Sequence, residues 1–510
     1  MVPEPRTPSS RWSNRILIVA IIGIVYFTLF PFRFNFRTTA PGYTSPFLLG
    51  PSQKNSINLD FFLNVLLFIP FGIGLGAQLR KRGVKRLTGF ILALTGGILV
   101  SYTIEFLQIY VPMRSSGWDD VFSNSLGSVV GFCVFELCGD AVFQQLSKAE
   151  AALRMWISPR RAAVLLSIYF GVWFGVSIYF QEQTRLSNWD DQCPLIVGND
   201  FSGGQPWSGR MLSLQVWNHA VPQDRVHQLM TNSSDLSNDP GLLAWYEFSS
   251  SPPFEDRKKL LPALALQAGM PSIAHAEGLK LDSQSWLTTS LPVANLTGKV
   301  RETNQFALRV KCAAGTTRSA PGLIVSISRS ADAVDLSLWQ DGTSLGFWFR
   351  NPISVGKASL VWYVPGVFQS QGAKDILVSY NGADATVYVD GSKIPRDFRL
   401  GPGTSFAQRF AFVRTRALPG YVVVYATLIF LPAGVLIGLT SGRFWTGSSF
   451  EKLLLTLLLL APPVMLEILL MWVSGRGIIF SNVMLSLFFA ITGLLLITAD
   501  DIDDVKLAAI

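Results

Sequence analysis

The chain has 510 residues, of which 49% are apolar and 15% charged, and its mean hydropathy is +0.35. A water-soluble chain of this size rarely has so apolar a composition, so these values predict a multispanning membrane protein. The formal net charge is +8. Much of that excess lies in short loops beside apolar segments, where it sets membrane orientation. We therefore expect membrane lipid as a partner and no nucleic acid.

Eight segments are long and apolar enough to cross a bilayer, since a spanning helix needs about 20 residues. No secretory cleavage pattern follows the first segment, which predicts a membrane anchor instead of a removed signal. The predicted spans cover residues 16–34, 60–79, 88–110, 120–139, 162–180, 419–440, 453–474 and 477–498.

Basic residues predict the orientation of these spans, because cytoplasmic loops are enriched in lysine and arginine. They concentrate in the N-terminus and in the loops 80–86, 140–161 and 441–452. Both termini are then cytoplasmic, and residues 181–418 lie outside the cytoplasm. The predicted location is the plasma or inner membrane.

Residues 181–418 have the composition of a soluble all-β domain. Short apolar runs alternate with turns rich in Gly, Asn, Asp, Ser and Pro. The runs 375–380 and 385–390 flank Asn381-Gly382, which predicts a β-hairpin. Runs 323–328 and 345–349 are further predicted strands. The chain is therefore expected to consist of helices at 1–180, a β-sandwich at 181–418, and helices with a cytoplasmic tail at 419–510.

The predicted sandwich resembles the laminin-G-like or concanavalin-A-like jelly rolls. The resemblance rests on the strand Gly241 to Phe248, on Tyr388-Val389-Asp390-Gly391, and on a segment from Ile196 to Asn218. That last segment closes the domain in the family, whereas here it precedes the opening strand. The resemblance therefore implies a circularly permuted jelly roll and, since such folds often bind sugars or proteins, a binding role.

Within this domain, Trp207 is the residue we expect to be exposed and to bind glycan, because it lies in a Gly-Gly-Gln-Pro-Trp-Ser-Gly loop. Asp190, Asp191 and Asp200 lack the spacing of a calcium loop, so no metal or cofactor is predicted. Cys193 and Cys312 are candidates for a disulfide in an oxidising compartment, although their spacing alone leaves the pairing open.

Polar residues within or beside the predicted spans are candidates for a functional pocket, because such residues are costly in a membrane and usually face a partner or a cavity. All of them are predicted near the external face, and Glu105 and Arg114 form the natural ion pair. The set consists of Asp60, Asn64, Glu105, Gln108, Arg114, Asp120 and Asn124.

The two helical parts read alike at one fixed offset of 362 residues (430 − 68) over about seventy residues without a gap. This periodicity predicts a duplicated membrane module in parallel orientation, interrupted by the β-domain. Glu467, Arg476 and Asn482 stand at the positions of Glu105, Arg114 and Asp120. Ala426, Leu470 and Ser486 replace Asn64, Gln108 and Asn124. Two interpretations of the first-copy set therefore stay open: a functional polar pocket, or a structural set that ties three helix ends together through ion pairs and hydrogen bonds.

The first copy resembles the VanZ-like family of membrane proteins. The matching motifs are Asn64 to Gly72, Ser101 with Glu105 to Gln108, and Arg114 with Asp120 to Gly131. The family's founding member is linked to low-level resistance to the glycopeptide teicoplanin. The resemblance thus implies a role in the cell envelope without implying a reaction.

Three functions remain open from the sequence. The favoured one is a binding protein whose external sandwich captures a glycan, a glycopeptide or an envelope protein. The second is a membrane enzyme in which Glu105 acts as acid or base and Arg114 holds an anion. The third is a transporter of lipid or glycan. The chain shows no metal-ligand set, nucleophile elbow or phosphate loop, which favours binding over catalysis.

Overall fold

A computed structural model describes residues 8–29, 34, 59–111, 117–231, 239–267, 272–274, 278–315, 321–354, 361–370, 372–394, 398–410, 418–440 and 449–508. The chain forms two compact units. The membrane unit comprises Met1–Phe174, Val423–Glu467 and Ile479–Ile510, and the sandwich unit comprises Gly175–Val422 and Ile468–Ile478.

The described residues form eleven helices, and eight of these are long and apolar enough to cross a membrane, as predicted. The eight are α1–α5 and α9–α11, whereas α6–α8 are short. The helices are α1 Pro8–Leu29, α2 Leu59–Lys81, α3 Arg86–Gln108, α4 Trp118–Trp156, α5 Pro159–Glu182, α6 Gln223–Thr231, α7 Ala294–Thr303, α8 Pro402–Phe410, α9 Leu418–Thr440, α10 Ser449–Ser474 and α11 Phe480–Ala508.

Helix α4 continues well past the predicted span 120–139. The interpretation of residues 140–161 as a loop was therefore wrong up to Trp156. Its 39 residues extend for about 58 Å at about 1.5 Å per residue, against a hydrocarbon core of about 30 Å. Hydropathy marks only the apolar part of this helix, whereas the Gln, Lys, Glu, Ala and Arg residues that follow are good helix formers in water.

Glycines bring helices α2 and α4 into backbone contact in the membrane unit. A Cβ on Gly72 would overlap the carbonyl oxygen of Ser128, and one on Gly131 would overlap that of Ile69. Helices α9 and α11 show the same arrangement, in which Gly434 faces the Ala490 carbonyl and Gly493 faces the Leu431 carbonyl. Small residues allow such approach in membranes, where dispersion contacts drive helix association.

Arg15 joins one end of α1 to α4 and α11. Its guanidinium is fully buried, lies 2.8 Å from Glu150, and donates to the carbonyl oxygen of Ile497 at 2.8 Å. Arg154 of α4 donates to the same carbonyl at 3.0 Å. The start of α1 and the ends of α4 and α11 therefore lie together. This agrees with four candidate crossings from the start of α1 to the end of α4, and eight to the end of α11, since an even number of crossings returns the chain to the same side.

The sandwich unit contains sixteen strands within the described residues. They are β1 Leu195–Val197, β2 Gly209–Trp217, β3 Leu242–Glu247, β4 Leu264–Leu266, β5 Ser272–Ala274, β6 Gly278–Leu281, β7 Leu287–Thr289, β8 Phe306–Ala314, β9 Gly322–Ser330, β10 Ala333–Asp341, β11 Ser344–Phe349, β12 Trp362–Val364, β13 Ala373–Tyr380, β14 Asp384–Val389, β15 Ser392–Lys393 and β16 Phe398–Arg399.

These strands form two antiparallel sheets. The seven-stranded sheet has the order β12-β11-β10-β9-β1-β7-β4, and the nine-stranded sheet has the path β15-β14-β13-β8-β2-β6-β5 with β16 beside β14 and β3 beside β2. The predicted hairpin is confirmed, since β13 pairs with β14 and Tyr380 faces Ala385. The inserted β-sandwich is thus present, with β1 and β2 in the interior of their sheets.

The main core of the sandwich contains apolar residues from both sheets, with Trp362, Phe306 and Tyr380 among its large buried side chains. A second, smaller cluster packs helix α6 through Val226 and Leu229 against residues of the nine-stranded sheet. Cys193 and Cys312 are both buried free thiols, so the disulfide considered from the sequence is not formed.

Candidate functional site

The predicted polar residues of the first copy link neighbouring helices in pairs. Asn64 of α2 donates to the Asp120 carboxylate of α4 at 2.8 Å. Asn124 of α4 donates to the Ser101 hydroxyl of α3 at 2.9 Å. Gln108 of α3 donates to the Thr28 carbonyl of α1 at 3.1 Å. Each bond joins a different pair of helices, and together they tie the four helices of this copy.

Glu105 receives the backbone N–H of Gly117 at 3.0 Å. Gly117 immediately precedes α4 and has no side chain to cap that helix. Because the start of a helix carries unsatisfied N–H groups and a partial positive charge, the buried carboxylate of Glu105 is well placed to stabilise it. The residue thus supplies a cap from the neighbouring helix α3.

Two members of the predicted set fall outside what the structure describes. Arg114 lies in the gap 112–116, and Asp60 is helical while its side chain is not described. The Glu105–Arg114 ion pair therefore stays a prediction.

The residues at the predicted repeat positions show the same cap and, among the described residues, few of the links. Glu467 receives the N–H of Ile479, the residue before α11, at 3.0 Å. The pair 467 and 479 corresponds to 105 and 117 at the offset of the repeat. Asn482 donates to the same glutamate at 3.5 Å. Arg476 belongs to the sandwich unit and donates to the Gly477 carbonyl at 3.1 Å.

Asn124 and Asn482 each have one buried side-chain oxygen, Oδ1, without a hydrogen bond. Asn124 is only 2% exposed. Buried polar atoms almost always have a hydrogen-bond partner, so an oxygen without one marks a position where a ligand could donate a hydrogen bond.

The expectation that Trp207 is exposed was wrong, which removes the basis for a glycan contact at this residue. The side chain is 2% exposed in the sandwich core, and its indole N–H donates to Gln340 at 2.8 Å. A Cβ on Gly209 would overlap the indole ring. The glycine that suggested a surface loop therefore makes room for a buried ring.

The acidic residues considered for calcium have other partners. Asp190 lies 2.7 Å from Arg329, Asp191 lies 2.5 Å from Arg301, and Asp200 accepts from the Ser202 hydroxyl at 2.9 Å. Within the described residues, no three His, Cys, Asp or Glu side chains converge as metal ligands would.

The outer face of the seven-stranded sheet carries aromatic side chains that the sequence analysis did not single out. Trp339 of β10 and Tyr363 of β12 both pair with Gly346 of β11, so the three share one face. Trp348 lies two residues from Gly346 on that face. Tyr363 is 41% exposed, and both tryptophans are partly exposed. The sequence signal for this face was the alternation of side chains along Leu345–Phe349. If Phe347 and Phe349 point into the core, Trp348 must point outward.

Comparison with known proteins places one family on the first four helices. Residues 17–139 match the VanZ/LLP1 family. Protein VanZ of Enterococcus faecium is 23% identical over 125 residues, which cover 24% of this chain and 74% of that protein. No solved structure matches the chain. The family match thus covers α1 from residue 17, α2, α3 and α4 up to residue 139, and the sandwich and α9–α11 lie outside the matched residues.

Proposed function

We propose that this chain is a VanZ-like envelope protein that acts by binding: its sandwich captures a glycan or glycopeptide outside the cytoplasm, and its helices hold that domain at the membrane. The observation that carries this proposal is that Glu105 and Glu467 make the same hydrogen bond in the two copies. The first-copy glutamate would be the natural acid or base of an enzyme, yet each of the two receives the N–H before the next helix, at 3.0 Å in both copies. A role shared by both copies supports a structural use of these glutamates over a catalytic one.

The membrane helices are, in this proposal, two parallel copies of one module. Support comes from contacts that recur at the offset of 362 residues. Gly72 with Ser128 corresponds to Gly434 with Ala490, and Gly131 with Ile69 corresponds to Gly493 with Leu431 in the same way. Helix α5 would then correspond to α1, and the sandwich is inserted where the first copy has residues 30–58. Both termini are cytoplasmic in this arrangement.

The sandwich itself is proposed to be a permuted laminin-G-like or concanavalin-A-like domain. The segment from Ile196 to Asn218, which closes the domain in that family but precedes the opening strand here, supplies most of β1 and all of β2. Strand β1 lies between β9 and β7, and β2 lies between β8 and the strands β3 and β6. Because both are interior strands, this segment is an integral part of the sandwich, as a permutation requires.

A second candidate function places a polar site for lipid or glycan handling among α2, α3 and α4. The observation that favours it is the buried, unpaired Oδ1 of Asn124, beside the links from Asn64 to Asp120 and from Asn124 to Ser101. Ala426 and Ser486 stand at the positions of Asn64 and Asn124 in the second copy, so these two hydrogen-bonded links would belong to the first copy alone.

Glu105→Gln and Glu467→Gln are the matched pair that separates these functions. The glutamine oxygen can still accept the N–H, while the loss of negative charge at the helix start costs about 0.3–1 kcal/mol. We therefore expect small, similar decreases in thermal stability and unchanged glycan binding. The measurement is binding of the full-length protein in lipid nanodiscs to peptidoglycan and to a panel of polysaccharides, with thermal unfolding of the same samples.

Two results would contradict the binding proposal. One is loss of glycan binding in the Glu105 variant alone, with stability equal to that of the Glu467 variant, which would indicate that the first copy does more than anchor the sandwich. The other is the absence of saturable binding to every glycan tested by the unmodified protein.

A further inference from the structure

We infer that the glycan-binding site of the sandwich lies on the outer face of the seven-stranded sheet, with Trp339 as its floor and Tyr363 as its wall, and that its ligand is a pyranose ring of a polysaccharide. This inference rests on the proposed function and names the surface and the ligand class. It replaces the expectation based on Trp207, which is buried.

The two outer faces of the sandwich differ in what covers them. On the nine-stranded sheet, helix α6 packs Val226 and Leu229 against Trp217 and Leu377. On the seven-stranded sheet, the corresponding face carries Trp339, Trp348 and Tyr363, with Tyr363 41% exposed. A contiguous group of exposed apolar side chains often marks an interaction site, so we assign the ligand to this face.

The two rings on either side of Gly346 form a corner. The indole of Trp339 lies across Gly346, where a Cβ would overlap it. The ring centroids of Trp339 and Tyr363 are 5.8 Å apart, and the rings are inclined at 88°. Glycine at 346 allows the indole to lie on the sheet, and the tyrosine ring is perpendicular to it. One ring thus offers a face while the other closes a side.

A pyranose fits this corner because its two kinds of surface match those available. The C–H groups on one face of the sugar carry partial positive charge and are attracted to the negative face of an aromatic ring. The hydroxyl groups at the edge of the sugar need hydrogen-bonding partners. Strand alternation places Ser337 and Asp341 of β10 and Ser344 of β11 on the same face as Trp339. These polar residues flank the aromatic corner on two sides.

Trp348 extends the aromatic surface along the strand. It pairs with Ser337, so it lies beyond Gly346 on the outer face of β11. A single sugar would contact the corner, and a longer chain would reach Trp348 as well. The geometry therefore favours a polysaccharide over a monosaccharide.

The test measures binding of the full-length protein in nanodiscs to peptidoglycan, chitin, cellulose and xylan. The full chain is used because residues of the α10–α11 turn belong to the sandwich unit: Asn304 donates to the Ser474 carbonyl at 3.0 Å. We expect Trp339→Ala and Tyr363→Ala each to weaken binding at least tenfold. Trp339→Phe should retain most of the affinity, because it keeps an aromatic face.

Phe201→Ala is the matched control, since Phe201 is an exposed aromatic residue of the same unit, 42% exposed, in the loop after β1 and not on β10, β11 or β12. Tyr363→Ala guards against misfolding, because the removed ring is substantially solvent-exposed. If the unmodified protein binds a glycan and the Trp339 and Tyr363 variants bind as Phe201→Ala does, the site is wrong while the proposed function stands. If the unmodified protein binds none of the glycans, both are overturned.

Discussion

Alanine in place of Gly72 or Gly434 is expected to destabilise the membrane unit by about 1–3 kcal/mol, the usual cost of overpacking a well-packed interface. The value should lie at the upper end because the added Cβ meets backbone. On Gly72 it would overlap the Ser128 carbonyl oxygen, and on Gly434 that of Ala490. A flexible side chain could move aside at low cost, whereas relieving these overlaps requires the two helices to separate.

Gly23→Ala in α1 and Gly171→Ala in α5 are the controls. Neither glycine has a neighbouring heavy atom within 4 Å of the position of an added Cβ. Alanine is the better helix former by about 1 kcal/mol, so these variants should be neutral or slightly more stable. The measurement is the thermal unfolding midpoint of the full-length protein in nanodiscs, together with the fraction that remains monodisperse after heating.

The comparison between the two interface variants tests the duplication. If α2 and α4 form the same unit as α9 and α11, the two decreases in unfolding midpoint should be similar. A large effect at Gly72 with none at Gly434 would show that the second pair is not packed as the first, and the repeat would then be a similarity of sequence alone.

The sequence predicted those features that depend on local composition or on a fixed register. Hydropathy located the eight helices of the described residues that are long and apolar enough to cross a membrane, because an apolar run of sufficient length has few other folds available. The Asn381-Gly382 turn gave the β13–β14 hairpin. The repeat offset paired Gly131 with Gly493 and Glu105 with Glu467, and the structure gives equivalent contacts to both pairs.

The features that were missed depend on contacts between distant segments. Trp207 was predicted to be exposed because glycines surround it in the sequence. Its burial follows instead from the hydrogen bond to Gln340 and from the space that Gly209, which lacks a Cβ, leaves for the indole ring. Asn64 and Asp120 were each placed on a helix face, but their hydrogen bond crosses from α2 to α4 and needs the packing to be known. The aromatic face at Trp339 and Tyr363 requires the pairing of three strands with Gly346 in the middle.

Replacing Asp335 by asparagine is expected to make the sandwich less sensitive to pH. Burial raises the pKa of this carboxyl group to about 7, and Oδ1 has no hydrogen bond. Its surroundings offer only partial compensation: the Asp190 N–H donates to Oδ2 at 2.9 Å, and Arg350 lies 3.7 Å away. The Asp190 carboxylate and the Cys193 thiol also face it.

The sign of the effect follows from proton binding. Between the ordinary carboxyl pKa of about 4 and the raised value of about 7, the folded state binds the proton and the unfolded state releases it. Unfolding free energy from this group therefore falls as pH rises through that window. Three pKa units correspond to about 4 kcal/mol. For a domain of this size, that amounts to a shift of roughly 8–16 °C in unfolding midpoint.

Asparagine cannot ionise, so Asp335→Asn should gain stability relative to the unmodified protein as pH rises from 4.5 to 8, by about 3 kcal/mol. Asp332→Asn is the matched control, since Asp332 is an exposed residue before the same strand. The measurement is the unfolding midpoint of the sandwich in the full-length protein, followed by tryptophan fluorescence. Asp190 acts in the opposite sense, because the Gln192 N–H and Arg329 lower the pKa of its carboxyl group. The informative quantity is therefore the difference in unfolding midpoint between Asp335→Asn and the unmodified protein at each pH. Parallel curves for the unmodified protein and Asp335→Asn would show that Asp335 is already ionised at pH 4.5 and that its burial costs no pH-dependent stability.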